Sequence, residues 1–467
     1  MKILYATIAA AIAQAACLCA AQKQTARPTS DDFKKSAVYQ ILIPSFTQEG
    51  TIKKAEEMLP YIKSLGFDIV YLCPIFEQDD DTDKKFWSER QKSSKTENPK
   101  NPYRIKNHFK IEPNYGTPAD AKSFVETAHK LGLKVLFDLV YYHCGPKADI
   151  IKENPDSVIR NEDGSVKIGE WRFPRLNFKN AKLREYLISN MEYLLKTYNI
   201  DGFRTDVGSM VPSDFWVEAY AKIKRSKPDL LMIEESERAS ALLDVYDSVY
   251  EVGWQRLIIE VFHEKKSAEL LRKRWEKTHA ETPEGGRVIR AMENHDFANG
   301  PFRPRCEIRF GFRGMDAVQV LNFTMDGIPF IYSGNEFADD SPMTIFSDRT
   351  HGRYFVGWEN IYSESGMRRL GLVKSLIALR RENSALYEGE TRWLASDKPN
   401  EILAYTRNSK DKNVFVAINA SDRPISVKID FSEKLEKEFL SYGVQYKAAD
   451  GKLIVKMEPK GYIVAGY

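Results

Sequence analysis

Cysteine is scarce in this chain. Five cysteines occur in 467 residues, and two of them, Cys17 and Cys19, fall in an apolar N-terminal stretch. The other three, Cys73, Cys144 and Cys306, are spaced too widely for a disulfide framework or a zinc site. They read as free thiols, with Cys73 in a strand core. Net charge is also small: 69 basic residues against 66 acidic ones leave +3. That balance gives no basic surface for a nucleic acid or another polyanion. Past residue 21 no apolar run is long enough to span a bilayer, so no stable membrane span is expected. Internal repeats and low-complexity segments are missing as well, which excludes solenoids and propellers.

The apolar N-terminal stretch has its own logic. Lys2 precedes a run from residue 3 to residue 21 broken only by Thr7 and Gln14, and small residues stand at Ala20 and Ala21. This pattern predicts a secretory signal peptide over 1–21, with a lipoprotein signal at Cys17 or Cys19 as the alternative. An exported protein without disulfides suits a bacterial periplasm or cell surface. Residues 22–36 are polar, contain Pro28 and read as a linker. Aromatic residues make up 12% of the chain. That content suits sugar-stacking surfaces, although large cores use aromatics too.

From residue 37 onward, short apolar strands alternate with amphipathic helices. Strands are predicted at 37–43, 67–73, 134–140, 201–206, 230–233, from Val249, at 288–292 and at 329–332. Helices are predicted at 52–65, 119–131, 183–198, 216–225, 267–277, 315–325 and 367–381. The α/β pattern fits a closed (β/α)₈ TIM barrel over 37–384, with a short insertion, 141–179, after the third strand. Residues 385–467 change texture to short strands and turns, a separate C-terminal all-β domain expected to be a β-sandwich. Residues 77–101 are highly charged and read as a solvated loop in which Phe86 and Trp87 are the groups suited to ligand contact. Its aspartate run lacks the glycine and terminal glutamate of a calcium loop.

Chemistry gathers at the carboxyl ends of the predicted strands. The third runs Asp138 to His143, the fourth ends Arg204-Thr205-Asp206, the fifth Glu234-Glu235, and the seventh Asn294-His295-Asp296. Arg204 and Asp206, two apart, leave one face of their strand, and the guanidinium is expected to keep the carboxylate ionised. A rigidly held carboxylate can act as a nucleophile. In a parallel barrel all these ends meet at one mouth. Gathering acids there is unfavourable without a functional reason.

These stretches, in order and spacing, resemble the signatures of the α-amylase family of glycoside hydrolases. The segments Asn101-Pro102-Tyr103 and Gly327 to Glu336 resemble two further motifs of that family. The resemblance implies retaining hydrolysis of α-glucosidic bonds in starch-derived maltooligosaccharides or related α-glucans. It makes Asp206 the nucleophile, Glu235 the general acid/base and Asp296 the aspartate that stabilises the transition state. Tyr103, His143, Arg204 and His295 would line the subsite of the cleaved sugar. Glu235 is preferred over its neighbour Glu234 because the family has a small residue just before its catalytic glutamate. The family's calcium site looks degraded: Tyr142 stands where an asparagine is usual, and Ser209 and Met210 where Lys-His is usual; Arg104 is a further departure, replacing an expected aspartate. No metal or cofactor is therefore expected. The departures also leave open a transglycosylase or isomerase on the same fold, or a catalytically silent carbohydrate-binding relative. Oligomeric state is left open.

Overall fold

The computed structural model describes residues 23–467, so the expected signal peptide lies outside the described residues. Eight short parallel strands close a barrel: β1 (Val38–Ile41), β2 (Ile69–Leu72), β3 (Lys134–Leu139), β4 (Gly202–Thr205), β5 (Leu231–Glu234), β6 (Ser248–Tyr250), β7 (Val288–Arg290) and β8 (Ile328–Tyr332). Each pairs with its neighbours in chain order, and β8 closes on β1. Seven of the eight are buried along their whole length. That explains their continuous apolar runs, because a parallel sheet is covered on both faces and has no solvent side to alternate with. Gly202 is forced by close approach, since a Cβ there would lie 2.0 Å from the Leu231 carbonyl oxygen.

The helices follow their caps. Pro118–Lys130 starts on a capping box between Thr117 and Asp120. Ala181–Tyr198 starts on Asn180 and stops at Asn199 in the left-handed region. Two helices depart from expectation. Val252–Phe262 follows β6 directly where only a strand was read. The helix expected over 315–325 begins at Cys306, with a break at Gly311 whose φ is 67°.

Residues 23–36 are not a free linker. Thr25 bridges to Glu284, the Ala26 amide donates to the Glu284 carbonyl, and Arg27 forms an ion pair with Asp247 at 2.5 Å. Asp31–Lys35 is a short helix capped by Ser30. This segment is a strap across the end of the barrel where β6 and β7 begin.

The charged stretch 77–101 is ordered too. It contains the turn Lys84–Phe86 and the helix Glu89–Ser94. Trp87 is buried, its indole N–H donating to the Asp81 carbonyl at 3.0 Å. The arginine at 104 organises this segment: its guanidinium donates to the carbonyls of Asp79, Asp81, Phe86 and Pro99.

The C-terminal domain is one connected antiparallel sheet rather than two stacked ones. Its strands are β9 (Glu390–Trp393), β10 (Ile402–Asn408), β11 (Asn413–Asn419), β12 (Ile425–Ile429), β13 (Lys437–Ala449) and β14 (Lys452–Gly466). The long β14 pairs with β11 through residues 462–466 and with β12 through residues 453–457. Between these stretches Lys460 has φ 58°, and the sheet changes partner there. One face packs on the barrel, with Leu403, Tyr405, Val416 and Val464 joining the main core. The other encloses a small core around Phe415, Val427 and Val455. Cys73, Cys144 and Cys306 are free and buried.

Candidate active site

At the carboxyl ends of the barrel strands lies a cavity of about 280 Å³ lined by Tyr103, His143, Asp206, Glu235, His295 and Asp296. Barrel enzymes do their chemistry at this face. Of the seven residues expected there, six line the cavity, and the seventh, Arg204, lies buried directly beneath.

Arg204 organises the acids. Its Nη1 donates to Asp138 at 2.7 and 2.8 Å and to Asp206 at 3.0 Å. Its Nη2 forms an ion pair with Glu235 at 2.6 Å. One planar guanidinium thus holds both carboxylates of the expected catalytic pair in fixed positions. Asp138 is fully buried and also accepts from the hydroxyls of Tyr71 and Tyr103, so it orients Arg204 and does not reach the cavity.

Adjacent glutamates at the end of β5 diverge as a strand requires. Glu235 faces the cavity and accepts from the Val207 amide at 2.9 Å. Glu234 turns outward, is fully buried, and is held by Ser236 and Arg238.

The electrostatics correct one expectation. Burial pushes the Asp206 carboxyl well above its ordinary range. Arg204 opposes this, while Glu235, Asp138 and Asp296 add to it. The guanidinium is shared among three carboxylates, so it does not hold Asp206 ionised by itself. Burial also raises Glu235, again against Arg204. A raised glutamate is what a general acid needs near neutral pH. At Asp296 burial acts upward but is overridden. The permanent charges of Arg90 and Arg204, with the His295 N–H turned toward it, hold it down to about 2. Its side chain is 44% exposed to the cleft. Asp206 and Glu235 share one guanidinium and titrate as a pair, so the proton that Glu235 carries leaves Asp206 as the carboxylate, a division that acid–base chemistry can use.

The two histidines are neutral. Burial lowers His143 to about 4 and His295 to about 3. His143 Nε2 lies 2.8 Å from the Tyr103 carbonyl, which makes that nitrogen the N–H donor. His295 Nδ1 lies 2.7 Å from the Gln40 amide nitrogen and accepts from it, leaving Nε2 as the N–H that faces Asp296 at 3.4 Å. The ring stacks on Tyr103, with centroids 4.9 Å apart and planes 9° from parallel. This makes a flat wall beside the carboxylates.

Four contributors escaped the sequence reading. Gln40, on β1, sets the His295 tautomer. Arg90, on the helix Glu89–Ser94, donates to the Asp296 carboxylate and to the carbonyls of His295 and Ala298. It lay inside a stretch whose charge suggested only solvation. Trp171 and Phe173 line the cavity from the insertion 141–179, their neighbour His143 lying 5.5 and 4.9 Å away between ring centroids. Trp171 is 42% exposed and has φ 58°. An exposed tryptophan held in the left-handed region is a local cost of the kind found at ligand sites, and its place in a polar loop was the readable signal. Phe86 and Trp87, expected as ligand contacts, do not line the cavity.

Tyr142, in place of the usual asparagine, donates its hydroxyl to Glu170 at 2.7 Å. No cluster of three or more histidine, cysteine or carboxylate side chains suited to a metal occurs among the described residues.

Comparison with known proteins agrees with this geometry. The family model described as "Alpha amylase, catalytic domain" matches residues 28–167 and 166–369. A cyclomaltodextrinase from Thermoanaerobacter pseudethanolicus is 26% identical over 80% of this chain and 64% of its own length. A maltogenic α-amylase from Bacillus acidopullulyticus is 24% identical over 82% of this chain and 64% of its own length. The chain therefore spans just under two thirds of the length of these relatives. Among solved structures, a noncanonic maltogenic α-amylase from Thermotoga neapolitana superposes with a TM-score of 0.78 at 22% identity, covering 93% of this chain and 99% of that one. An α-amylase from Lactobacillus plantarum superposes with a TM-score of 0.75 at 22% identity, covering 94% and 100%. With its closed barrel, its carboxylates gathered on Arg204 and a family model spanning most of its length, this chain belongs to the α-amylase family.

Proposed function

We propose that this protein is a retaining glycoside hydrolase that cleaves α-glucosidic bonds in short maltooligosaccharides. The observation that carries the reading is the sharing of Arg204 between Asp206 and Glu235 beside Asp296 in one cavity. In this reading Asp206 attacks the anomeric carbon while Glu235 protonates the departing oxygen. Glu235 then takes a proton from the water that releases the sugar. Retaining enzymes use carboxyl groups about 5–5.5 Å apart. Asp296 and His295 would grip hydroxyls of the cleaved sugar, with Tyr103 and Trp171 providing flat surfaces against the ring.

Two features favour short substrates. Arg90 packs across one side of the mouth, and the long-polymer residues of the family are replaced at Ser209 and Met210. The names of the relatives, cyclomaltodextrinase and maltogenic α-amylase, point to substrates of this size. We also propose that the activity needs no calcium, because Arg104 already ties together the carbonyls of residues 79–99. The apolar run over 3–21 supports export as the proposed location, and among the described residues no helix is long and apolar enough to cross a membrane.

The test is incubation with maltotriose, cyclic maltodextrins and starch, followed by chromatography and by NMR of the first product's anomer. α-Anomeric glucose or maltose, absent with Asp206→Asn, is the expected result. New linkages in place of free sugars would identify a transglycosylase. A β-anomeric first product would refute the retaining mechanism, and no product from the unmodified protein would refute the enzyme.

A further inference from the structure

A second cavity, of about 460 Å³, lies at the opposite end of the barrel, where the C-terminal domain meets it. Its walls come from the segment before β7, the turn before β8, and β9 and β10. Arg287, Arg290 and Arg407 line it. The state of their charges is uneven. Arg290 is paired with Glu251 and with Asp326, the latter at 2.6 Å. Asp326 is further engaged by the Trp275 indole N–H at 3.0 Å. Among the described residues, Arg287, Arg407 and the neighbouring Arg380 form no ion pair. Arg407 donates only to the carbonyls of Thr324 and Gly389, Arg287 only to those of Gly285 and Gly286, and Arg380 only to those of Lys34, Gly327 and Leu386. The Nε atoms of Arg287 and Arg407 are buried without a partner. Arg407 and Arg380 are fully buried.

Burying guanidinium groups without a counter-charge is unfavourable, and main-chain carbonyls offset only part of that cost. The three arginines repel one another as well. Burial first, and then the neighbouring guanidiniums, lower Arg380 to about 9. Burial lowers Arg407 to about 10. Facing the cavity from the other elements are Lys23, His279, Glu284, Asp326, Glu388 and Glu390, and Asp326 is the carboxylate that acts on Arg287 and Arg407. The three glutamates are exposed, Arg287 is half-buried and Arg407 is fully buried. An anion deep in the cavity would meet guanidinium donors beside Asp326, whose carboxylate is engaged by Arg290 and Trp275.

We propose that this cavity is a binding site for a small oxyanion of the phosphate class, seated on Arg287 and Arg407. Guanidinium forks match phosphate oxygens in geometry and charge. The volume falls within the range of small-molecule sites and exceeds a bare ion. The exposed, hydroxyl-accepting glutamates suit a phosphate carried on a polyol.

The test is calorimetric titration of the full chain with inorganic phosphate, with sodium chloride at equal ionic strength as the control. One saturable site for phosphate and none for chloride is expected, retained in Asp206→Asn. Arg287→Gln should weaken it by about tenfold or more and leave maltotriose hydrolysis unchanged, which also reports correct folding. Glu390→Lys, a surface change, should tighten it. The proposal is overturned by an absence of saturable binding, by equal affinity in the Arg287 and Glu390 variants, or by loss of binding in Asp206→Asn, which would place the anion in the catalytic cavity.

Discussion

Single residues decide the chemistry here, and some of them could be read without coordinates. Asp206, Glu235 and Asp296 stand at strand ends, and the alternation of a β-strand is enough to separate Glu235 from Glu234. Gln40 and Arg90 could not be found that way. Their partners lie 255 and 206 residues away along the chain, and contacts of that span leave no local pattern. The protonation of the site follows from the same residues. His143 and His295, pushed to about 4 and about 3, stay neutral across the working range. Neither histidine therefore supplies a limb of the pH–rate curve. In the proposed role Glu235, raised by burial, must hold its proton to act, so activity should fall as pH rises through its folded value. In Glu235→Gln the expected loss of kcat is about 10²–10⁴-fold, and the alkaline limb should disappear from the remaining rate. An unchanged alkaline limb would assign that limb to another group.

At the level of elements, the barrel strands were legible because burial on both faces writes an unbroken apolar run. The segments that shape the mouth were not. Residues 77–101 carry the composition of a solvated loop, yet Arg104 pulls four of their carbonyls onto one guanidinium. Polar main-chain groups satisfied by a distant side chain leave no hydrophobic period to detect. The strap at 23–36 was missed for a related reason, since a backbone bridge, the Arg27–Asp247 ion pair and only two isolated buried apolar side chains, Ala26 and Phe33, hold it, too few to write a period. Arg104→Ala should loosen the 77–101 segment and withdraw Arg90 from Asp296. Limited proteolysis should then cut within residues 84–95, where the unmodified protein resists. Arg104→Lys, which offers a compact ammonium in place of a fork, should restore little of that resistance. Chelator should change neither the cleavage pattern nor the activity of the unmodified protein.

Stability of the whole molecule carries a signature from Glu336, at the end of the eighth strand. This side chain is fully buried, accepting from the Tyr39 hydroxyl at 2.6 Å, the Tyr61 hydroxyl at 3.2 Å and the Gly334 amide at 2.9 Å. Burial raises its carboxyl from 4.5 to about 7. The folded state therefore keeps a proton that the unfolded chain releases. That contribution is complete below pH 4.5 and is lost as pH rises to about 7, at a cost of up to about 3 kcal/mol. Denaturant unfolding at pH 5 and pH 8 should show this decline, and Glu336→Gln should flatten it. An equal decline in the variant would assign it elsewhere.

The strap at 23–36 also sets which way the molecule looks. Lys23, the first described residue, lies at the rear of the barrel, on the side away from the carboxylates. A fused protein or a solid support attached at Lys23 would stand on the face opposite the cavity lined by Asp206, Glu235 and Asp296.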